Sequence, residues 1–231
     1  MGGGAAWAAH EQAVVACGCC PRLVVWREQV AREKRRAYKA WDYWGRPVPG
    51  FGDHAARVLA VGLAPGAHGS NRTGRMFTGD ASGAFLYPAL HRAGFANQPG
   101  STSREDGLAL TDLFITALCR CVPPANKPTP REIANCRPFL LTELDLLPRV
   151  RVVVALGRVA FDEVWRIYSY EGEALKPFTF AHGAHGRLGE GLLWLIASYH
   201  PSRQNTNTGR LTARMFDRIW TLARKLAEAE A

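Results

Sequence analysis

The distribution of apolar and polar residues along the chain predicts alternating strands and helices. Short apolar runs, typical of strands buried on both faces, occupy residues 58–63, 113–118, 152–156 and 192–198. Apolar residues at the spacing of an amphipathic helix occupy residues 21–41, 84–93, 130–147, 157–168 and 211–227. Strands that alternate with helices pair in parallel through right-handed crossovers. The pattern therefore predicts an α/β fold with a mostly parallel sheet and helices on both faces.

Three loops of unusual composition each follow directly after a predicted strand. They span residues 64–80, 119–130 and 199–209, and they are rich in Gly, Pro and Asn. The carboxyl ends of parallel strands meet at one edge of a sheet, where open α/β folds bind their ligands. We therefore expect a functional site built from these three loops. Residues 43–53, rich in Gly and Pro, are predicted to form a further loop.

Length and charge narrow the class of protein. With 231 residues, 47% of them hydrophobic, the chain can bury one large core, so we expect a single domain over residues 1–231. No apolar run approaches the roughly 18 residues that cross a bilayer, and the start lacks the basic region of a signal peptide. We expect a cytoplasmic monomer. A net charge of +9 favours a polyanionic partner, because neutralising phosphates releases counterions, although many basic proteins bind no nucleic acid.

Cysteines form a second signal. They lie at positions 17, 19, 20, 119, 121 and 136. Because the cytoplasm keeps thiols reduced, disulfides are not expected. Cys17 and Cys20, together with Cys121 and Cys136, give four thiolates from two regions, a set that suits zinc or an iron–sulfur cluster. The alternative is that the cysteines are small buried apolar residues. Composition alone does not choose between the two metals.

Two loops carry sequences of high specificity. The first reads GLAPGAHGSNRTGRMFTGD from Gly62 to Asp80, and the second reads SYHPSRQNT from Ser198 to Thr206. With Cys17–Trp26 and Cys121–Pro128, they resemble the family 5 uracil-DNA glycosylases, and the resemblance spans nearly the whole chain. It implies a three-layer α/β/α uracil-DNA-glycosylase-like fold with a four-stranded parallel sheet.

The resemblance also resolves the choice of metal. It implies that Cys17, Cys20, Cys121 and Cys136 hold a [4Fe–4S] cluster, whereas Cys19 and Cys119 match no ligand of the family. The cluster would then staple an N-terminal segment, about residues 10–41, to the rest of the domain.

The function that the resemblance implies is base-excision repair of DNA. A monofunctional glycosylase of this kind hydrolyses the N-glycosidic bond of a uracil flipped out of DNA, and we expect other deaminated bases such as hypoxanthine to be substrates too. The implied base-binding residues are Phe77, which stacks on the base, and Leu63 and Ala64, whose amides read its edge.

The implied catalytic residues are His200, Asp80 and Asn126. His200 donates a hydrogen bond to a uracil oxygen and stabilises the leaving anion. Asp80 and Asn126 are placed to meet the sugar cation or to position the attacking water. Many uracil glycosylases carry an acid or amide where this chain has Ala64, so water activation must come from elsewhere. The roomier pocket that results favours a broad substrate range.

Each of these residues also has a purely structural interpretation. Phe77 is an ordinary core aromatic in one interpretation, and His200 a histidine bonded to the backbone in another. Asp80 is well placed to cap the following helix. Contacts with DNA are predicted for the polar second loop, at Ser202, Arg203 and Asn205, and for the basic residues of the 27–39 helix, although both segments are also typical of solvated surface.

Two other functions compete with the glycosylase. The first is a non-enzymatic, zinc-dependent nucleic-acid-binding protein, and the second is a redox protein that uses an iron–sulfur cluster for electron transfer. The redox function is disfavoured because no cofactor motif such as G-x-G-x-x-G follows a predicted strand.

Overall fold

The computed structural model describes residues 3–169, 178–188 and 193–229. Its helices are α1 Gly3–Val15, α2 Pro21–Glu33, α3 Ser70–Thr73, α4 Ala81–Arg92, α5 Pro130–Leu146, α6 Arg158–Ser169, α7 Arg203–Asn207 and α8 Ala213–Ala229. Its strands are β1 Phe51–Gly52, β2 Val58–Gly62, β3 Leu113–Ala117, β4 Val152–Leu156, β5 His185–Leu188 and β6 Leu193–Ser198.

The described strands form one sheet in the order β1-β3-β2-β4-β6-β5. The four central strands β3, β2, β4 and β6 run parallel, and β1 and β5 pair antiparallel at the two edges. Every residue of β2, β3 and β4 is buried, as expected for parallel strands covered on both faces. The predicted four-stranded parallel sheet is confirmed, and two short edge strands extend it.

Helices cover both faces of the sheet. On one face α4 and α8 contribute Leu86, Phe216 and Trp220 to a buried cluster. On the other face the helices α1, α5 and α6 bury Trp7 and Phe161, among other side chains, against the strands. The three-layer α/β/α fold is therefore confirmed. Among the helices of the described ranges, none combines the length and apolar character needed to cross a bilayer.

The helix predicted over residues 21–41 is wrong at its carboxyl end. It stops at Glu33, because Lys34 has a positive φ of 52° that a helix cannot continue. The apolar side chains beyond it, Tyr38 and Trp41, pack on Arg72 of a distant loop. Other predicted boundaries lie within about three residues of those observed, the usual uncertainty of such boundaries. Leu192, at the start of a predicted strand, lies outside the described residues.

The sequence pattern does not predict α1, β1 or β5. Helix α1 is alanine-rich and has no distinct apolar face. β1 has two residues and β5 is largely exposed, so neither shows the continuous apolar run of a central strand. Helix α1 is held instead by contacts with residues that are distant in sequence. Trp7 stacks on His54 with ring centroids 4.0 Å apart and lies 5.0 Å from the ring of Phe114.

We predict that Trp7→Ala lowers the free energy of unfolding by about 3 kcal/mol, because it removes a large side chain that is only 5% exposed. Val25→Ala is a matched control in α2, since Val25 is 62% exposed and its truncation should change stability by no more than about 0.5 kcal/mol. Urea unfolding measures both. Equal losses for the two variants would show that α1 is not packed on the sheet.

Candidate active site

The glycine-rich loop between β2 and α4 is held from within by two buried arginines. Arg72 donates from Nε to the carbonyl of His68 at 2.8 Å and from Nη2 to the carbonyl of Gly79 at 2.9 Å. Arg75 donates to Thr78 Oγ1 at 2.9 Å and forms an ion pair with Asp106 at 2.8 Å. Both arginines are 3% exposed. Buried charge-assisted bonds of this kind hold the loop in one conformation.

Phe77 lies in this loop, and its ring packs against the end of β2 at Gly62. Its φ of 51° is unfavourable for a residue with a side chain, a feature often found at functional sites. A Cβ on Gly62 would lie 2.9 Å from the ring, so only glycine lets the ring approach the strand end. The ring centroid lies 5.9 Å from that of His200, at an interplanar angle of 33°. Phe77 also belongs to the hydrophobic core, so its packing role is real.

Asp80 caps α4, because its Oδ1 accepts a hydrogen bond from the Gly83 amide at 3.0 Å. The structural interpretation of this residue is thus confirmed. Its other oxygen faces Gly66 and Gly69, where an added Cβ would lie 2.7 and 1.9 Å from it. Burial raises the pKa of the carboxyl. Amide hydrogen bonds and the positive charges of Arg72 and Arg203 oppose this effect.

His200 lies two residues after the end of β6, and its backbone is held by the second loop. Its carbonyl accepts hydrogen bonds from the Ser202 amide at 2.8 Å and from Asn205 Nδ2 at 2.9 Å. Burial lowers the pKa of His200 to about 4, so its imidazole is neutral at physiological pH. Two predicted DNA contacts, Ser202 and Asn205, therefore position His200, while Arg203 is exposed.

The turn after β2 presents free backbone amides. The carbonyl of Leu63 accepts from the Cys119 amide at 3.0 Å, which ties the turn to the end of β3. Among the described residues, however, the N–H groups of Leu63 and Ala64 have no acceptor. Backbone donors at the carboxyl edge of a sheet are suited to bind a polar ligand.

Asn126 makes no described hydrogen bond to Phe77, Asp80 or His200. It lies in the 3₁₀ turn Pro124–Asn126 after β3, with a φ of 56°, and it is exposed. Its side chain makes no hydrogen bond to another residue of the described ranges. The other predicted catalytic residues lie in the first and second loops, at the ends of β2 and β6.

The four predicted cluster ligands line one cavity. Its wall is formed by Cys17, Cys19, Cys20, Leu23, Val24, Arg27, Pro47, Arg120, Cys121, Asn135 and Cys136. Three N–H groups point at ligand sulfurs: Arg27 Nη1 at 3.0 Å from Cys121, the Arg120 amide at 3.3 Å from Cys136, and Asn135 Nδ2 at 3.5 Å from Cys20. Within residues 3–169, 178–188 and 193–229, no three His, Cys, Asp or Glu side chains are arranged to hold a metal ion.

Cys119, predicted not to be a ligand, lies beside the cavity. Hydrogen bonding from its thiol lowers the pKa of Cys136 to about 7, against the effect of burial. Burial raises the pKa of Cys121 to about 11, and the charge of Arg27 opposes that rise. The thiols of this region therefore differ in how readily they lose a proton.

Comparison with known proteins places these features in a family. The family model described as the Uracil DNA glycosylase superfamily matches residues 49–224. The chain belongs to this superfamily. It is 54% identical to the Type-5 uracil-DNA glycosylase of Thermus thermophilus over 95% of this chain and 97% of that protein. It is 50% identical to the Type-5 uracil-DNA glycosylase of Mycobacterium bovis, over 100% of this chain and 85% of that protein.

A more distant relative is the Type-4 uracil-DNA glycosylase of Archaeoglobus fulgidus, 32% identical over 67% of this chain and 70% of that protein. The resemblance to family 5 uracil-DNA glycosylases is thereby confirmed. None of these relatives is named as a zinc-dependent binding protein, so that alternative gains no support.

Two buried arginines near the site, Arg72 and Arg27, have roles that the sequence does not reveal. Arg72 lies inside the recognised loop, yet nothing local shows that Tyr38 and Trp41 enclose it. Arg27 reads as one charge of a basic helix, yet it is 7% exposed and bonded to a cysteine sulfur. A polar residue at a buried position of the helix would have been the signal, because the apolar Leu23 and Val30 lie one turn away on either side of Arg27.

We predict that His200 makes stability depend on pH between about 4 and 6.5. In that window the unfolded chain, with an ordinary histidine pKa of about 6.5, binds a proton that the folded state does not. The contribution of His200 to the free energy of unfolding therefore falls as pH decreases through the window, and it is constant above the window. In His200→Asn this loss disappears, so the stability of the wild type relative to the variant should fall with acidification. Urea unfolding at several pH values measures it, and parallel curves throughout would contradict burial of a neutral imidazole.

Proposed function

We propose that the protein is a monofunctional uracil-DNA glycosylase of base-excision repair. The observation that carries the proposal is the pair of facing rings at the carboxyl edge of the sheet, Phe77 and His200, 5.9 Å apart. The names of the relatives at 54% and 50% identity support the same activity. A base extruded from DNA needs a stacking surface and a donor to its edge, and this pair supplies both.

Base recognition rests on the ring of Phe77 and on the free amides of Leu63 and Ala64. The buried ring replaces the stacking that the base loses when it leaves the duplex. The two N–H groups, which have no acceptor among the described residues, bind carbonyl oxygens on the edge of uracil. Hypoxanthine carries a similar carbonyl, and Ala64 adds little bulk, so we include deaminated purines among the substrates.

Departure of the base is assisted by His200. Its neutral imidazole, held so by burial, donates a hydrogen bond to a uracil oxygen without transferring a proton to it. As the glycosidic bond breaks, negative charge develops on that oxygen and the bond strengthens. The Ser202 amide and Asn205 Nδ2 both donate to the His200 carbonyl, and these bonds hold the backbone that carries the ring during this change.

We assign two tasks to Asp80 and Asn126: stabilising the sugar cation and positioning the attacking water. Asp80 is the half-buried carboxylate beside the Phe77 loop, and one of its oxygens faces the turn formed by Gly66 and Gly69. A carboxylate there stabilises positive charge on the sugar and orients water toward it. Asn126 is exposed on the loop after β3, so its part in the reaction requires DNA to bring the sugar to that loop.

Binding of DNA is assigned to the basic surface around the site. Arg203 is exposed at the start of α7, and Arg35, Arg36 and Lys39 are exposed beyond α2. Phosphate contacts supply affinity that does not depend on sequence and weakens with salt, whereas the flipped base supplies selectivity. The net charge of +9 is consistent with this division.

A [4Fe–4S] cluster is assigned to Cys17, Cys20, Cys121 and Cys136. The donor set suits such a group, because these four thiols are among the five that line one cavity, and N–H groups point at three of the four sulfurs. Arg27 also has a buried Nε without a hydrogen-bond partner in the described ranges, and its charge offsets that of a thiolate cluster. The cluster would act as a staple between residues 10–41 and the rest of a single domain.

The test of the function is incubation with an oligonucleotide that contains one uracil, followed by alkali. Excision leaves an abasic site that alkali cleaves, so a strand break at the uracil is expected, and a thymine-containing oligonucleotide is the control. An unbroken strand at both bases, from protein that carries its metal, would remove the enzymatic proposal and leave a DNA-binding protein.

We predict that Asp80→Asn reduces the single-turnover rate by about 10²-fold, the scale of removing a positioned acid, base or charge. Asparagine caps a helix as well as aspartate does, so the melting temperature should be unchanged. His200→Ala should lose a similar factor with DNA affinity nearly unchanged, and Asn126→Ala should also slow cleavage. Cleavage by Asp80→Asn at the wild-type rate would show that this residue is only a helix cap.

We predict that Cys20→Ser loses the visible absorbance and iron of the cluster and becomes less stable and less soluble, because metal binding contributes folding energy. Its neighbour Cys19 is exposed and is the matched control, so Cys19→Ser should keep its colour and its melting temperature. Metal analysis and thermal melting measure both. A bleached Cys19→Ser beside a coloured Cys20→Ser would show that the ligand set is wrong, and zinc in place of iron would overturn the assignment of the metal.

A further inference from the structure

Residues 34–45, here called the strap, connect α2 to the sheet and lie across the glycine-rich loop. Three contacts join the strap to the loop through polar groups. The Tyr43 hydroxyl is 3.1 Å from His68 Nδ1, the Trp44 amide donates to the carbonyl of Arg72 at 2.9 Å, and the Gly45 amide donates to that of Asn71 at 3.0 Å. The strap therefore follows the backbone of α3.

The guanidinium group of Arg72 lies against two aromatic rings of the strap, which meet each other edge to face. Its Cζ is 4.0 Å from the ring centroid of Tyr38 and 4.1 Å from that of Trp41. One of its nitrogens, Nη1, is buried and has no hydrogen-bond partner in the described part of the chain. A desolvated cation in contact with two aromatic rings gains attraction from both ring quadrupoles, which offsets that missing bond.

The other two nitrogens of Arg72 hold the backbone on either side of Phe77. Nε bonds the carbonyl of His68 and Nη2 bonds that of Gly79, the residue before Asp80. A Cβ on Gly79 would lie 2.3 Å from Nη2, and its φ is 77°, so glycine is required for this approach. The guanidinium group of Arg72 thus holds the peptide that leads into Asp80, together with the bond from the Gly79 amide to the carbonyl of Ser101 at 3.0 Å.

We propose that Arg72 is a positioning residue that orients Asp80, and that Tyr38 and Trp41 of the strap hold Arg72 in place. The inference rests on the proposed function, in which Asp80 acts on the sugar cation or the water. The strap, which begins where α2 ends, thereby becomes part of the assembly of the active site.

The charges around Asp80 make the proposal testable. Arg72 and Arg203 lower the pKa of the carboxyl, whereas burial, its largest influence, raises it. Tyr87 also lies near, but burial raises the pKa of its hydroxyl so far that it stays neutral. Removal of the Arg72 charge should therefore raise the pKa of Asp80. If the carboxylate is the active form, the acid side of the pH–rate profile moves to higher pH.

The experiment compares Arg72→Gln with Arg72→Lys in single-turnover cleavage of uracil-containing DNA across pH. Both variants lose the pair of carbonyl bonds and should be slower than wild type by about 10-fold or more at neutral pH, the scale of misplaced catalytic groups. Only Arg72→Gln loses the charge. The ratio of wild-type to Arg72→Gln rate should grow as pH falls, whereas the ratio for Arg72→Lys should stay constant.

Arg224 of α8 offers a matched control, because its side chain contacts the residues that follow the carboxyl end of α4. Its Cζ lies 4.1 Å from the Phe95 ring centroid, and its Nε donates to the carbonyl of Ala93 at 2.7 Å. Arg224→Gln thus removes the same kinds of interaction far from Asp80. We expect it to lower the melting temperature and to leave the shape of the pH–rate profile unchanged.

Two results would overturn the inference. One is an Arg72→Gln protein that cleaves at the wild-type rate with the wild-type pH profile. The other concerns a second variant, Trp41→Leu, which is used if Arg72→Gln does not fold. If Trp41→Leu cleaves at the wild-type rate, the strap does not act on the site. A slower, folded Trp41→Leu protein supports the inference.

Failure of the proposed function is distinguishable from failure of this inference. If the wild type does not cleave uracil-containing DNA, the titration of the Asp80 carboxyl carbon by NMR still reports the coupling. A pKa of Asp80 that rises in Arg72→Gln and not in Arg224→Gln would support the positioning role even then. An unchanged titration in both variants would overturn it.

Discussion

The candidate active site depends on the burial of two guanidinium groups inside its glycine-rich loop. A segment with many glycines has many accessible conformations, and holding one of them costs conformational entropy. Arg72 donates to two carbonyls of the loop, and Arg75 joins a loop hydroxyl to a carboxylate beyond it. Both lie away from water, where such bonds are strong. Phe77 lies within the segment that these bonds hold, and Asp80 follows directly after its last residue, Gly79.

The N-terminal part of the chain links this loop to the cysteine cavity. Arg27 of α2 donates to the sulfur of Cys121, and its own carbonyl accepts from Asn71 Nδ2 in the loop at 3.2 Å. The strap then continues from α2 onto Arg72. A [4Fe–4S] staple at the start of α2 would therefore stabilise the active-site loop as well as the fold, although no described contact places the cysteines in the reaction itself.

The sequence by itself determined the architecture and the edge of the sheet that bears the site. A strand covered on both faces must be apolar throughout, so four apolar runs identify the four parallel strands. Chain direction then brings the loops after β2, β3 and β6 to one edge. Local chemistry sufficed for Asp80 as well, because a cap is formed with an amide three residues later. The motifs of the two loops were enough to identify the superfamily.

Features that depend on contacts between residues far apart in sequence were decided only by the tertiary structure. Helix α2 ends at Glu33, and Tyr38 and Trp41 beyond it pack on Arg72, a contact that the helical spacing of apolar residues conceals. The neutral state of His200 is a consequence of burial by its surroundings, and no pattern along the chain reveals it. Periodicity reports which face of an element is apolar, whereas the partner of that face and the local dielectric are set only when distant segments meet.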